Sequence, residues 1–278
     1  MTRLCYDAFM LTGSLQYTYE EMAKMIDHSL LHPALTDQEL EAGCRLAVQY
    51  GTASVCIKPY FVKRAAELLK GTGVIVGAVI GFPHGNSATE SKRYETQLAC
   101  EDGAAEIDMV INIGKALSGD WAYVEREVKA VCDEAHKRGA KVKVIFENDY
   151  LDKGGAGLKG DDFKRRLCQL CERAGADWVK TSTGFGFVKQ ADGSYNYRGA
   201  TEHDLRLMRG SVSQKVQIKA AGGVRTLDAL IQTRDLGASR CGATATAQML
   251  DEYRRREAAE KAGNPARAKD AAPGPGGC

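Results

Sequence analysis

Two lysines in this chain stand where lysines are uncommon. Lys180 ends the short apolar run Asp177-Trp-Val-Lys180, just ahead of the small-residue turn Thr181-Ser-Thr-Gly184, and Lys219 ends Val216-Gln-Ile-Lys219. A lysine at the C-terminal mouth of a buried strand is partly desolvated, which lowers its pKa and frees the neutral, nucleophilic amine. Lys180 is therefore the candidate for a covalent catalyst that forms a Schiff base with a carbonyl substrate. Lys219, on the neighbouring strand, raises the cost of protonating it. Asp108, in Glu106-Ile-Asp-Met-Val110, is a candidate proton shuttle, directly or through a water, at a carbon next to an imine. The bland alternatives are a structural carboxylate partner for Lys180 and an Asp108 that only neutralises a lysine. Asp27 and Glu147 are expected to organise these groups, and Lys58 to join them or sit on the rim.

Holding such residues together requires a scaffold that gathers strand ends. Strands are predicted to begin at Met25, Ala53, Gly73, Ala105, Lys141, Asp177, Val216 and Ser239, and each is followed by a helix. Thr36-Asp-Gln-Glu39 has the capping-box pattern of a helix start, and Gly51, Gly103, Gly139, Gly175 and Gly237 stand where helices should stop. Eight βα units favour a (β/α)8 TIM barrel over a doubly wound sheet. The barrel is placed at residues 25–253, after an N-terminal extension (1–24) and before a flexible tail (254–278) rich in Ala, Gly, Pro and charge.

The last two units carry a different signal. Ala220-Ala-Gly-Gly-Val-Arg225 follows the seventh strand and Cys241-Gly-Ala-Thr244 the eighth. Glycine turns in these two places let backbone N–H groups converge on a phosphate beside a helix N-terminus. Gly222, Gly223, Arg225, Gly242 and Thr244 are thus candidate phosphate contacts, although tight turns alone would also call for the glycines. After the sixth strand, residues 186–198 form a long loop with an Asp192-Gly193 turn, which predicts a small hairpin beside the site.

Composition narrows the class. With 44% hydrophobic and 27% charged residues the chain of 278 residues reads as globular with a substantial core. A net charge of +2 gives no electrostatic case for nucleic acid or membrane as partner. No apolar run approaches the roughly 20 residues of a bilayer span. The first residues lack a secretory pattern, so the expected location is cytoplasmic. The nine cysteines are then expected as reduced thiols, and Cys168-Gln-Leu-Cys171 as two thiols on one helix face rather than a metal or redox site.

Four segments together resemble deoxyribose-phosphate aldolases: Ile26-Asp-His-Ser-Leu-Leu31, Glu106-Ile-Asp-Met-Val110, Val179-Lys-Thr-Ser-Thr-Gly184 and Ile218-Lys-Ala-Ala-Gly-Gly-Val-Arg225. The resemblance runs from about Met25 to Thr246. It implies a class I aldolase without metal or cofactor that cleaves 2-deoxy-D-ribose 5-phosphate reversibly to acetaldehyde and D-glyceraldehyde 3-phosphate, in deoxyribose phosphate catabolism. By resemblance, Lys180 forms the Schiff base, and Asp108 and Lys219 are the paired proton donor and acceptor. Asp27, Thr183, Gly184 and the glycine-turn residues above bind substrate, and the protein is a homodimer or homotetramer. The C3–C4 bond is the one expected to break. Removing Asp108 or Lys219 is expected to cost orders of magnitude in rate and leave folding largely intact. Phe185 stands where some members carry a phosphate-holding lysine, and Thr244-Ala245 where some carry paired serines. The competing readings are another imine-forming sugar-phosphate aldolase and a non-catalytic phosphate-binding barrel.

Overall fold

The computed structural model describes residues 15–190 and 192–263. Eight parallel strands close on themselves in chain order. They are β1 (Ile26–Leu30), β2 (Ser54–Ile57), β3 (Ile75–Ile80), β4 (Glu106–Val110), β5 (Lys141–Ile145), β6 (Trp178–Lys180), β7 (Gln217–Ala221) and β8 (Ala238–Ala243). Closure comes from β1, which pairs with β2 through Asp27 and Ser54 and with β8 through Asp27 and Gly242. All eight predicted strands and the predicted (β/α)8 barrel are present.

The helices begin and end where local chemistry dictates. Helix Asp37–Tyr50 opens on the Thr36/Glu39 capping box and stops at Gly51, whose φ of 68° is left-handed. Asp120, Thr201 and Thr226 cap the helices Trp121–His136, Glu202–Arg209 and Leu227–Asp235 by accepting from N–H groups of the first turn. Three short helices were not predicted as such: Tyr19–Ala23, Ile113–Leu117 and Asn148–Leu151.

The strands bury two unlike faces. Residues of one parity, such as Ile107, Met109, Val142, Val144, Val179 and Ile218, pack in the apolar core under the helices. Each such side chain contributes on the order of 1.5–3 kcal/mol. The other parity points into the barrel, and on β1, β4, β5, β6 and β7 it carries the buried charges Asp27, Glu106, Asp108, Lys143, Lys180 and Lys219 rather than branched aliphatics.

At the ends, Met22 and Ala23 lie in the same core as Ile26, and the Tyr19 and Tyr253 rings meet edge to face at 5.6 Å. The last helix, Thr246–Gly263, runs ten residues past position 253. Residues 1–14 and 264–278, most of the expected extension and tail, lie outside the described residues.

Candidate active site

Asp108 is the hub of the barrel interior. One of its oxygens, Oδ2, accepts from Lys180 Nζ at 2.7 Å and from Lys219 Nζ at 2.7 Å, and Oδ1 accepts from Lys143 Nζ at 3.0 Å. Strand register explains the meeting, since Asp108 is level with Lys143 and Lys180 with Lys219. Below this layer Asp27 Oδ2 lies 2.5 Å from Lys219 Nζ, an ion pair whose angles fall outside hydrogen-bond range. Asp27 Oδ1 accepts from Ser54 Oγ at 2.7 Å and from Arg240 at 2.5 Å. Arg240 also donates to Glu106 at 2.8 Å, and Glu106 accepts from Lys143. Lys143 and Arg240 flank the Trp178 ring, each 5.6 Å from its centre.

The charges in this cluster do not balance. Lys143, Lys180, Lys219 and Arg240 face Asp27, Glu106 and Asp108, which leaves four cations for three carboxylates. The Cys56 thiol, 3.9 Å from Asp108, does not help, because burial pushes its pKa up to about 11. Lys143 touches three carboxylates and Lys219 two, whereas Lys180 has only the Asp108 oxygen it shares.

The titration behaviour follows from these contacts. Burial lowers the Lys180 pKa from the lysine value; Asp108 opposes the shift and Lys219 adds to it. Burial acts on Lys219 too, but Asp108 and Asp27 overcome it and hold that amine well above the usual value. Burial disfavours the Asp108 carboxylate, yet Lys143, Lys180 and Lys219 hold its pKa well below the usual range. Of the three lysines on Asp108, Lys180 is thus the one shifted toward its neutral amine, while Lys143 and Lys219 are shifted toward the charged form and Asp108 toward the carboxylate. Desolvation outranks repulsion by Lys219 as the cause, which refines the expectation from sequence.

Lys180 alone of these groups reaches the cavity above. That cavity has a volume of ≈ 340 Å³, enough for a small phosphorylated metabolite. Of the expected substrate contacts, Thr183, Gly184, Gly222, Gly223, Arg225, Gly242 and Thr244 line it. Asp27 does not; it lies fully buried beneath Lys219, as the second residue of β1, toward the end of the strand away from the cavity. Asp108 is the middle residue of β4, and Lys219, expected at the end of its strand, is the middle residue of β7. Lys58 sits on the rim, where Nζ donates to the His32 and Pro33 carbonyls at 2.9 and 3.2 Å.

The glycine turns have the required backbone. Gly222 and Gly223 both have left-handed φ, 85° and 84°, and a Cβ on Gly222 would lie 2.9 Å from Gly199 Cα. Arg225 is exposed and forms no ion pair among the described residues. Part of the lining is apolar: Leu31, Leu35 and Phe185 contribute, and Phe185 meets Phe82 edge to face at 5.5 Å in a cluster with Leu31, Cys56 and Val79.

One helix supports the turn after β6. Glu147, left-handed at φ 57°, accepts from the backbone N and hydroxyl of Thr183, and burial raises its pKa to about 7. The predicted hairpin is present, pairing Val188–Lys189 with Tyr195–Asn196 across the turn at Gly193.

The sequence reading missed Lys143, Glu106 and Arg240, and also Ser29 and Tyr197 on the cavity wall. The alternation Glu106/Asp108 beside Lys141/Lys143 was the available signal for the first two.

Comparison with known proteins supports what this geometry suggests. The family model described as DeoC/LacD family aldolase matches residues 21–247. The chain belongs to this aldolase family. Among its relatives is the deoxyribose-phosphate aldolase of Rhodopirellula baltica, 50% identical over 239 residues, covering 86% of this chain and 92% of the relative. That of Thermococcus gammatolerans is 43% identical, covering 85% and 98%. Among solved structures, the tetrameric deoxyribose phosphate aldolase of Aeropyrum pernix superposes with a TM-score of 0.74 at 29% identity, covering 85% of this aldolase chain and 92% of the other. Cys168 and Cys171 lie on one helix, buried in the apolar core of this aldolase, and burial raises both thiol pKa values.

Proposed function

We propose that this chain cleaves 2-deoxy-D-ribose 5-phosphate reversibly to acetaldehyde and D-glyceraldehyde 3-phosphate through a Schiff base on Lys180. The observation that carries this reading is the charge imbalance: the one cavity-lining amine is also the least compensated cation of the buried cluster.

Lys180 Nζ adds to the C1 aldehyde of the open-chain sugar and loses water to give an iminium. The C3 hydroxyl gives up its proton, the C2–C3 bond breaks, and its electron pair moves through C2 into the iminium as an enamine. The C3–C4 bond expected from the sequence reading cannot break this way, because only the carbon next to the imine can pass electrons to it. Glyceraldehyde 3-phosphate leaves, C2 takes a proton, and water releases acetaldehyde. The Asp108 carboxylate, already placed on Lys180 Nζ, stabilises the cation that forms there. Asp108 takes the C3 hydroxyl proton through a water and, with the charged Lys219 as its partner in the relay, returns a proton to C2. Gly222, Gly223, Arg225, Gly242 and Thr244, with the N-terminus of helix Thr246–Gly263, receive the phosphate.

The same reading makes the protein a cytoplasmic homodimer or homotetramer in deoxyribose phosphate catabolism, acting on diffusible sugar phosphates and aldehydes. Among the described residues no helix is long and apolar enough to cross a membrane. Acetaldehyde release from 2-deoxy-D-ribose 5-phosphate, followed with alcohol dehydrogenase and NADH, tests the assignment. Turnover by the wild type and none by Lys180→Ala is expected; an active Lys180→Ala variant overturns it.

A further inference from the structure

The hairpin after β6 brings Tyr197 to the cavity wall, next to Gly222, Gly223 and Arg225. Two glycines make room for its ring. A Cβ on Gly186 would lie 2.8 Å from Tyr197 Cβ, and one on Gly222 would lie 3.4 Å from Tyr197 Cε2. The ring therefore rests on the glycine turn assigned to the phosphate. Its hydroxyl forms no hydrogen bond among the described residues, while its backbone N–H is taken by Asn196 Oδ1 at 2.8 Å.

The backbone that carries Tyr197 is fixed from several sides. The two oxygens of Asp149 accept from the next two amides, Arg198 N at 2.8 Å and Gly199 N at 3.0 Å. Ala200 N donates to Gly222 O at 3.1 Å, which ties this segment to the glycine turn itself. The other leg of the hairpin is held by Phe187 N donating to Tyr150 Oη at 3.0 Å, and Phe187 stacks on Tyr195 at 4.1 Å. A donor held in place this way loses little freedom when a ligand arrives.

We propose that Tyr197 is a substrate-contacting residue supplied by this hairpin, donating its hydroxyl to the phosphate while its ring shields that end of the sugar from water. This rests on the aldolase reading above. With Phe185 and Ala245 offering no side-chain donor, Tyr197 joins Arg225 and Thr244 as a side chain that can donate to a phosphate at the glycine-turn end of the wall, while Ser29, His32 and Lys180 also line the cavity. A hydrogen bond to a charged oxygen is strong enough for its loss to be measured.

The test compares kcat/KM for 2-deoxy-D-ribose 5-phosphate with that for 2-deoxy-D-ribose. In Tyr197→Phe the ratio falls about tenfold to a hundredfold, through KM rather than kcat. Tyr197→Ala, which also opens the wall, falls further. Tyr195→Phe, on the same hairpin but outside the cavity, keeps the wild-type ratio. An unchanged ratio in Tyr197→Phe, or an equal fall in Tyr195→Phe, overturns the proposal. If the wild type turns over neither sugar, the aldolase reading has failed separately. Calorimetric binding of glyceraldehyde 3-phosphate to wild type and Tyr197→Phe still decides: weaker binding by the variant supports the contact, and equal affinity refutes it.

Discussion

Replacing Lys219 by methionine removes the charge nearest to the Lys180 amine and keeps most of the side-chain volume. Both amines lie 2.7 Å from the same Asp108 oxygen, so they are at most about 5.4 Å apart, twice that distance. At an effective dielectric constant of about 20, two unit charges at that separation repel by about 3 kcal/mol, equivalent to about two pKa units. The loss also leaves Asp108 with one cation fewer, which favours a proton on Lys180 still more. Lys219→Met should therefore move the acid limb of the kcat/KM profile up by about two pH units, beyond any uniform loss of rate. Borohydride trapping of the acetaldehyde imine should show the same displacement when run as a pH series, because trapping needs the neutral amine. If the rate falls at every pH with the limb in place, Lys219 is only a proton donor and the electrostatic reasoning is refuted. Stability must be measured alongside. Lys219 is fully buried against Asp27 and Asp108, and removing one partner of such a pair costs about 3–5 kcal/mol. This burial makes a loss of stability the expected outcome, in place of the folding left largely intact that the sequence suggests.

Other outcomes follow from the same contacts. Burial raises the Glu147 pKa from its ordinary 4.5 to about 7, with Asp149 adding to the shift and the Thr183 bonds and Lys180 opposing it. The folded state thus binds the extra proton, so stability is highest below about pH 4.5 for this group and falls by on the order of 3 kcal/mol as pH rises through 7. Glu147→Gln should abolish that part of the slope in urea unfolding between pH 4.5 and 8; an identical slope in both proteins contradicts it. Gly222→Ala forces a Cβ to within 2.9 Å of the Gly199 backbone at a left-handed φ. It should raise KM for the sugar phosphate at least about tenfold while imine trapping on Lys180 survives; an unchanged KM argues against phosphate at this turn.

Much of this was legible in the residues, for identifiable reasons. Helix boundaries were marked by capping side chains and left-handed glycines, which are local chemistry and need no tertiary context. Lys180, Lys219 and Asp108 stood out as charges at or near the ends of apolar runs. Lys143, Glu106 and Arg240 did not, because each becomes an interior residue only once strand parity and register are known. Asp27 was expected at the substrate, but as the second residue of β1 it lies one layer too deep. Tyr197 could not be found from spacing. Its position depends on how Asp149 and Gly222 hold the hairpin backbone, which no pattern in the hairpin encodes.

The central claim is that Lys180, and no other amine of the buried cluster, forms the imine. Incubation with acetaldehyde and borohydride, followed by peptide mass mapping, tests it directly. One ethyl group on the peptide containing Lys180, absent from Lys180→Ala, is the predicted result. An ethyl group on Lys219 or Lys143 instead, or no adduct at all, contradicts it.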